Sequence, residues 1–523
     1  MRPRAARTGA APAAAGRSRC GGRGRRLEDA ALTLVGIDQG TTGTRVAAFD
    51  DDLVQVADAY RPAVVAHPRP GWAEKDAEQV VDGVTSALAE VAGAVGAGAI
   101  SAIGLDNEGE TVVAWDARTL RPLAPAVVWS CRRSQPIVER LAAAGAGEEV
   151  VRLAGTPLDP YFSATKIRWL VENVPAVAAA VRAGNGRFGT LDAYLRARLV
   201  GEAATDPSTA ARTQLQELAR PGRWSERLCE LHGVDPEWLP AIGPSTGALG
   251  GWPGGAGAPP LPLCASLVDQ TAALAGHGCV QPGDVKATYG TGIFVLAHAG
   301  AETPAAGMGL LPTIAWWADG LRGYALEGGV FSAGSAIDWL RDGAGLLRAA
   351  ADSEALAASV PDCGGVRFLP ALGGIGAPWW LPDVRAAWTG ISAHTTRAHL
   401  VRAVLESLAY RVRDVVEALA GAGRSPAELR VDGGLTANRW FVGFQADVLG
   451  IPVRVSGNRE ATARGAAALA GIGAGLFDPG RLAALGQGGT RIDPSPGSQG
   501  WRDQAYADWR DGLRAIAGLG RGA

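Results

Sequence analysis

The chain has 523 residues, enough for two or three ordinary domains, and 47% hydrophobic with 20% charged residues is the balance of a globular protein with large cores. A formal net charge of −2 gives no reason to expect nucleic-acid binding, and no apolar stretch is long enough to span a bilayer. The six cysteines form no CxxC pair or zinc-like His/Cys spacing, as expected of scattered reduced thiols in a cytoplasmic protein.

Residues 1–30 carry eight arginines, no acid before Glu28 and no apolar core of a secretory signal. They are expected to be a disordered Arg-rich extension; the rest of the chain is acidic. Only three lysines occur, Lys75, Lys166 and Lys286, against 47 arginines. With so much Ala and Gly, this reads as a coding bias rather than a functional signal.

The first structured segment is Leu32 to Asp38, an apolar run of strand character. The small polar turn Gln39 to Thr44 follows, then a return strand from Arg45 to Asp50. Ile100 to Leu105 is strand-like, and Ala164 to Asn173 has helical spacing. The Pro/Gly-rich stretch from Gly243 to Pro262 reads as a loop. A second hairpin, Asp284–Tyr289 and Ile293–His298 around Gly290-Thr291-Gly292, echoes the first and suggests two related halves. Helical patterns follow at Val330–Arg341 and His399–Ala420, with a strand at Leu429–Asp432. Alternating strands and helices indicate α/β architecture. The expected division is 31–277 and 278–516.

Three segments could carry chemistry. Asp38-Gln39-Gly40-Thr41-Thr42-Gly43-Thr44-Arg45 has the small residues and hydroxyls of a phosphate-cradling loop. In it Arg45 can pair with a transferred phosphate and Asp38 can hold Mg²⁺ through water. An ordinary hairpin with a polar tip has the same pattern. Asp269-Gln270 follows the plausible strand Leu261–Val268, a place where a general base could face a cleft. A carboxylate capping the next helix would look the same. Asp432-Gly433-Gly434 with Asn438 is a glycine turn between strand and helix, on which a base and ribose could lie. No Walker A lysine and no protein-kinase lysine or catalytic loop is present.

The ordered motifs Asp38-Gln-Gly-Thr-Thr, Pro70-Gly-Trp-Ala-Glu74, Trp129-Ser-Cys-Arg-Arg133, Asp159-Pro-Tyr-Phe-Ser-Ala-Thr-Lys166, Phe188-Gly-Thr-Leu-Asp192, Tyr289-Gly-Thr-Gly292, Tyr324-Ala-Leu-Glu-Gly328, Gly376-Ala-Pro-Trp379 and Asp432-Gly-Gly434 run across the chain. Together they resemble the FGGY carbohydrate kinases, and among these most nearly the glycerol kinases, from about Leu32 to Ile516. The resemblance implies two ribonuclease H/actin-like domains with an interdomain cleft, ATP with Mg²⁺ and a small polyol or sugar as ligands, and a homodimer or homotetramer. It implies Asp269 as catalytic base, and Asp38 and Asp269 as the metal-associated carboxylates. Arg45, Thr41, Thr42, Gly43, Thr291, Gly334, Gly434 and Asn438 would meet nucleotide or phosphate. Glu110, Trp129, Tyr161, Gln270 and Phe294 would surround the polyol.

Two positions depart from the pattern. Asn107-Glu108-Gly109-Glu110 stands where glycerol kinases carry Asn-Gln-Arg-Glu, so an arginine clamp is expected to be lost and space to appear. Asp338 stands for a glutamine near the adenine. The expected activity is ATP-dependent phosphorylation of a hydroxyl of a small polyol or sugar; the lost arginine is expected to bring either weak glycerol binding or a larger substrate, such as a four- or five-carbon polyol or ketose. A silent sugar- and ATP-binding sensor is the alternative from another class.

Overall fold

The computed structural model describes residues 32–253, 259–318, 320–458 and 460–518. The Arg-rich extension expected over 1–30 lies outside them. The described residues from Leu32 onward form one compact unit whose two largest sheets have six and seven strands.

Thr33–Gln39 is buried on both faces, as a central strand of apolar residues must be. It turns back into Gly43–Phe49 and pairs on its other side, in parallel, with Ile100–Asn107. The six-stranded sheet runs Thr246–Trp252, Leu261–Val268, Ile100–Asn107, Thr33–Gln39, Gly43–Phe49, Gln55–Pro62. The seven-stranded sheet repeats that arrangement. Val285–Tyr289 turns back into Ile293–Gly300 and lies parallel to Leu429–Asp432, followed by Val453–Val455 and the edge strand Thr490–Ile492. The two hairpins therefore occupy equivalent places in two α/β halves.

The outer face of the first sheet packs on the helix Ala77–Val95, through Val80, Val84, Leu88 and Val91 at helical spacing. Asp76 caps that helix by accepting from the Glu78 amide at 2.9 Å. Helices Arg397–Gly421 and Arg439–Leu449 cover the outer face of the second sheet. Between the sheets lie Asp269–Gly276 and the alanine-rich Ala461–Gly473. The second of these comes from the C-terminal half yet rests on the N-terminal sheet.

That contact is made by backbone. A Cβ on Gly36 would stand 1.9 Å from the Ala463 carbonyl oxygen, and one on Gly104 would stand 2.1 Å from that of Ala466. Gly36 and Gly104 are paired across neighbouring strands, so together they form the bed of the helix.

Two expected elements differ. The stretch read as a loop from Gly243 contains the edge strand Thr246–Trp252. A register shift between Thr246 and Gly250, with Gly247 and Gly250 at φ 137° and 130°, lets a glycine-rich strand sit at an edge. The helix read over Val330–Arg341 begins only at Gly334, because Val330 still pairs with Ile293 in the sheet. A π-turn, Trp339–Gly343, follows it.

Gly104→Ala is expected to destabilise the protein by about 1–3 kcal/mol through overpacking, seen as a lower melting temperature. Gly98→Ala is the control, since nothing lies within 4 Å of its added Cβ. Equal melting temperatures for the two variants would contradict the packing described.

Candidate active site

The tip of the first hairpin is closed by the Gly40 amide donating to the Gly43 carbonyl at 3.0 Å. Gly43 admits no side chain, since a Cβ would lie 2.4 Å from the Tyr60 hydroxyl. Thr42 is exposed on the tip and Thr41 is half-buried beside it. The second tip is built alike, with the Gly290 amide donating to Gly292 at 2.9 Å. Thr291 is exposed there, and the Gly334 amide donates to the Gly290 carbonyl at 3.0 Å. Gly433, at φ 93°, packs against Tyr289, and Gly434 is exposed beside it.

Three of the expected nucleotide contacts have other partners. Arg45 is held by Asp58 at 2.5 Å and Glu460 at 3.0 Å, so it must exchange partners to reach a phosphate. The Asn438 side chain is buried, accepting from the Phe441 amide at 2.9 Å and donating to Ser353 at 3.2 Å. Asp338 is exposed at the end of the helix that starts at Gly334 and pairs with Arg341 at 3.1 Å.

The residues expected around the polyol do converge. Glu110, Trp129, Tyr161, Asp269, Gln270 and Phe294 line one cavity of about 80 Å³, together with Thr41 of the first tip. That is far below the roughly 300–1,000 Å³ of pockets for drug-sized ligands. The Trp129 indole donates to the Thr41 hydroxyl at 2.8 Å and so ties the cavity to the loop.

Asp269 is the first residue of its helix, immediately past the strand Leu261–Val268. Its carboxylate accepts from the Gln270 amide at 2.6 Å, and Gln270 is fixed in turn by Lys286, which donates to its side chain at 2.7 Å. Loss of hydration, then the charges of Glu110 and Asp38, push Asp269 up to about 7, with Lys286 opposing. Burial likewise raises Asp38 to about 6, against a hydrogen bond from Asp106 and the charge of Arg45.

Asp106 is wholly buried on the strand between these two carboxylates. Burial and the neighbouring charges of Asp38 and Asp269 raise it well above the ordinary carboxylate range.

The open space expected beside Gly109 is not there. A Cβ on Gly109 would meet Val268 Cγ2 at 2.5 Å and Arg212 Cγ at 2.9 Å, so the room left by the absent side chain is filled. Arg212 donates from Nε to Glu110 at 2.5 Å and from Nη2 to the Tyr161 hydroxyl at 3.1 Å. Its ion pair with Glu327, at 3.2 Å, reaches a strand of the second sheet. Burial works against the Arg212 charge, but Glu110 and Glu327 more than offset it.

Sequence reasoning also passed over Asp106, Glu108 and all three lysines. Lys75 is buried and donates to Glu108 at 2.6 Å and to the Gly40 carbonyl at 2.9 Å. Lys166 is buried and donates to the carbonyls of Glu110 and Tyr161, and burial lowers it to about 8. Lys286 holds Gln270. The signal was present in the composition: in a chain that otherwise uses arginine, lysine survives only beside this cavity.

Known proteins resemble this chain over most of its length. The N-terminal domain of the FGGY family of carbohydrate kinases matches residues 33–276, and its C-terminal domain matches residues 285–474. A glycerol kinase of Halorhodospira halophila is 41% identical over 488 residues, 92% of this chain and 96% of that protein. A crystal structure of Plasmodium falciparum glycerol kinase with ADP superposes with a TM-score of 0.86 at 28% identity, covering 93% of this chain and 98% of that one. A xylulose kinase from Rhodospirillum rubrum gives 0.82 at 29% identity, over 92% and 98% of the two chains. The chain belongs to the FGGY family of carbohydrate kinases.

Proposed function

We propose that this protein transfers the γ-phosphoryl group of ATP to a primary hydroxyl of a short polyol, with glycerol the leading substrate. The observation that carries the reading is the shared cavity: the Asp269 carboxylate opens into the same small space as Thr41 of the phosphate-loop tip. Trp129 and Phe294 supply apolar walls for the carbon chain, and Glu110 and Tyr161 supply polar groups for hydroxyls.

Asp269 accepts the proton of the attacking hydroxyl. A carboxylate raised to about 7 is matched to that task near neutral pH, since a large share of it is ionised there and it is basic enough to take a proton. The Lys286–Gln270 contact fixes its direction. Phosphoryl transfer asks the protein mainly for alignment and charge neutralisation. The amides of the two glycine tips and the hydroxyls of Thr42 and Thr291 line the phosphates. Closure of the halves excludes water as a competing acceptor.

Asp38 and Asp269, both half-buried and flanking the buried Asp106, suit a divalent cation held through its own waters. Among the described residues no group of three or more His, Cys, Asp and Glu forms a ready metal cage. Mg²⁺ entering with ATP would be held there by Asp38 and Asp269 and would supply charge neutralisation at the phosphate oxygens. A cytoplasmic setting suits the five described cysteines, all of which are free thiols.

A larger substrate loses its main support, because the space assigned to it beside Gly109 holds Val268 and Arg212. The purified protein assayed against glycerol, erythritol, xylulose, ribulose and gluconate is expected to favour glycerol. Asp269→Asn is expected to bind ATP and lose about 10²–10⁴-fold in turnover. Turnover at the wild-type rate would remove Asp269 from its role.

A further inference from the structure

The wall of the polyol cavity around Gly109 is built differently from a side-chain clamp at that position. Arg212 enters from another segment, just past the short helix Pro207–Ala211. Its side chain is 3% exposed and lines the cavity. Gly109 is the clearance it needs, since any Cβ there would collide with its stem. A guanidinium has five N–H donors in a rigid fork. Here Nε serves Glu110, and Nη2 serves Tyr161 and Glu327. Nη1 lies 3.2 Å from Glu327 Oε2 but makes no hydrogen bond. On the same cavity Glu108 has one oxygen bound by Lys75, while its Oε2 has no hydrogen-bond partner. A buried donor and a buried acceptor left unmade beside one cavity are a cost that a ligand hydroxyl, both donor and acceptor, would remove.

We propose that Arg212 is the specificity-determining cation of the polyol pocket. It donates to a hydroxyl that is not phosphorylated, and Gly109 is retained to admit it. This rests on the polyol-kinase reading above. Arg212 also joins Glu110 of the first half to Glu327 of the second, so the contact it makes to substrate is set by both halves. Lysine cannot replace it, because a single ammonium cannot serve Glu110, Tyr161, Glu327 and a ligand together.

The test compares glycerol with propane-1,2-diol and propane-1,3-diol, each short of one hydroxyl. Wild type, Arg212→Lys and Gly109→Ala are assayed for kcat/KM, and polyol binding is read separately from tryptophan fluorescence with a non-hydrolysable ATP analogue bound. Arg212→Lys is expected to lower kcat/KM for glycerol by about ten- to hundredfold. It should leave the KM for ATP nearly unchanged and lower kcat/KM for one of the diols far less than for glycerol, so that the preference for the triol collapses. Gly109→Ala should move the preference in the same direction by displacing Arg212. A merely structural role would depress all three polyols alike. Variants that bind ATP and keep the wild-type preference would overturn the proposal, as would loss of equal size on every polyol. A wild-type protein that binds glycerol in preference to the diols without phosphorylating it would contradict the kinase reading, while the binding ratios of the variants would still decide the role of Arg212. Failure of the wild type to bind any of the three would overturn both.

Discussion

Three parallel strands ending at one level set the terms for everything else in this site. Asp38 on Thr33–Gln39 is paired with Asp106 on Ile100–Asn107, and Leu267 of the third strand is paired with Asp106 from the other side. Two residues later comes Asp269. The register therefore delivers three carboxyl groups to the carboxyl ends of adjacent strands, where ligands bind in open α/β sheets. Buried like charges are costly, and the structure answers by raising the acids and surrounding them with buried cations. Lys286, Lys75, Lys166 and Arg212 are all buried, and each contacts a loop or side chain that lines the cavity.

The same economy governs how the halves meet. The two halves meet along a thin seam of backbone contact. Gly36 and Gly104 let the helix Ala461–Gly473 lie directly on strand backbone, with Gly465 against the Ala272 carbonyl completing the contact on the neighbouring helix. Bulk there would push the sheets apart and carry Phe294 and Glu327 away from Glu110 and Arg212. The cavity beside Asp269 is thus lined by residues of both halves.

Much of this was legible from local pattern. Both hairpins, the strand leading to Asp269 and the family resemblance depend on short-range signals: apolar runs, glycine-threonine tips, motifs in order. The edge strand Thr246–Trp252 escaped because its glycines serve a bulge that only the partner strand reveals. The start of the Gly334 helix was placed early because Val330 is apolar for the sheet rather than for a helix face. Arg212 escaped for a deeper reason. Nothing within its own segment marks it, and its role exists only because Gly109, about a hundred residues earlier, leaves a space of its shape. The space beside Gly109 is filled by a side chain from another segment, and linear inspection sees the missing side chain but not what fills its place. The lysines were a readable clue misread as codon bias.

The most direct measurement is a crystal structure of the protein with a non-hydrolysable ATP analogue and glycerol. The account expects one glycerol hydroxyl oxygen about 2.6–3.2 Å from the Asp269 carboxylate, in line with a γ-phosphate seated on residues 39–44, and a second hydroxyl on the Arg212 guanidinium. A polyol bound away from Asp269, or a γ-phosphate held elsewhere than at that tip, would contradict it.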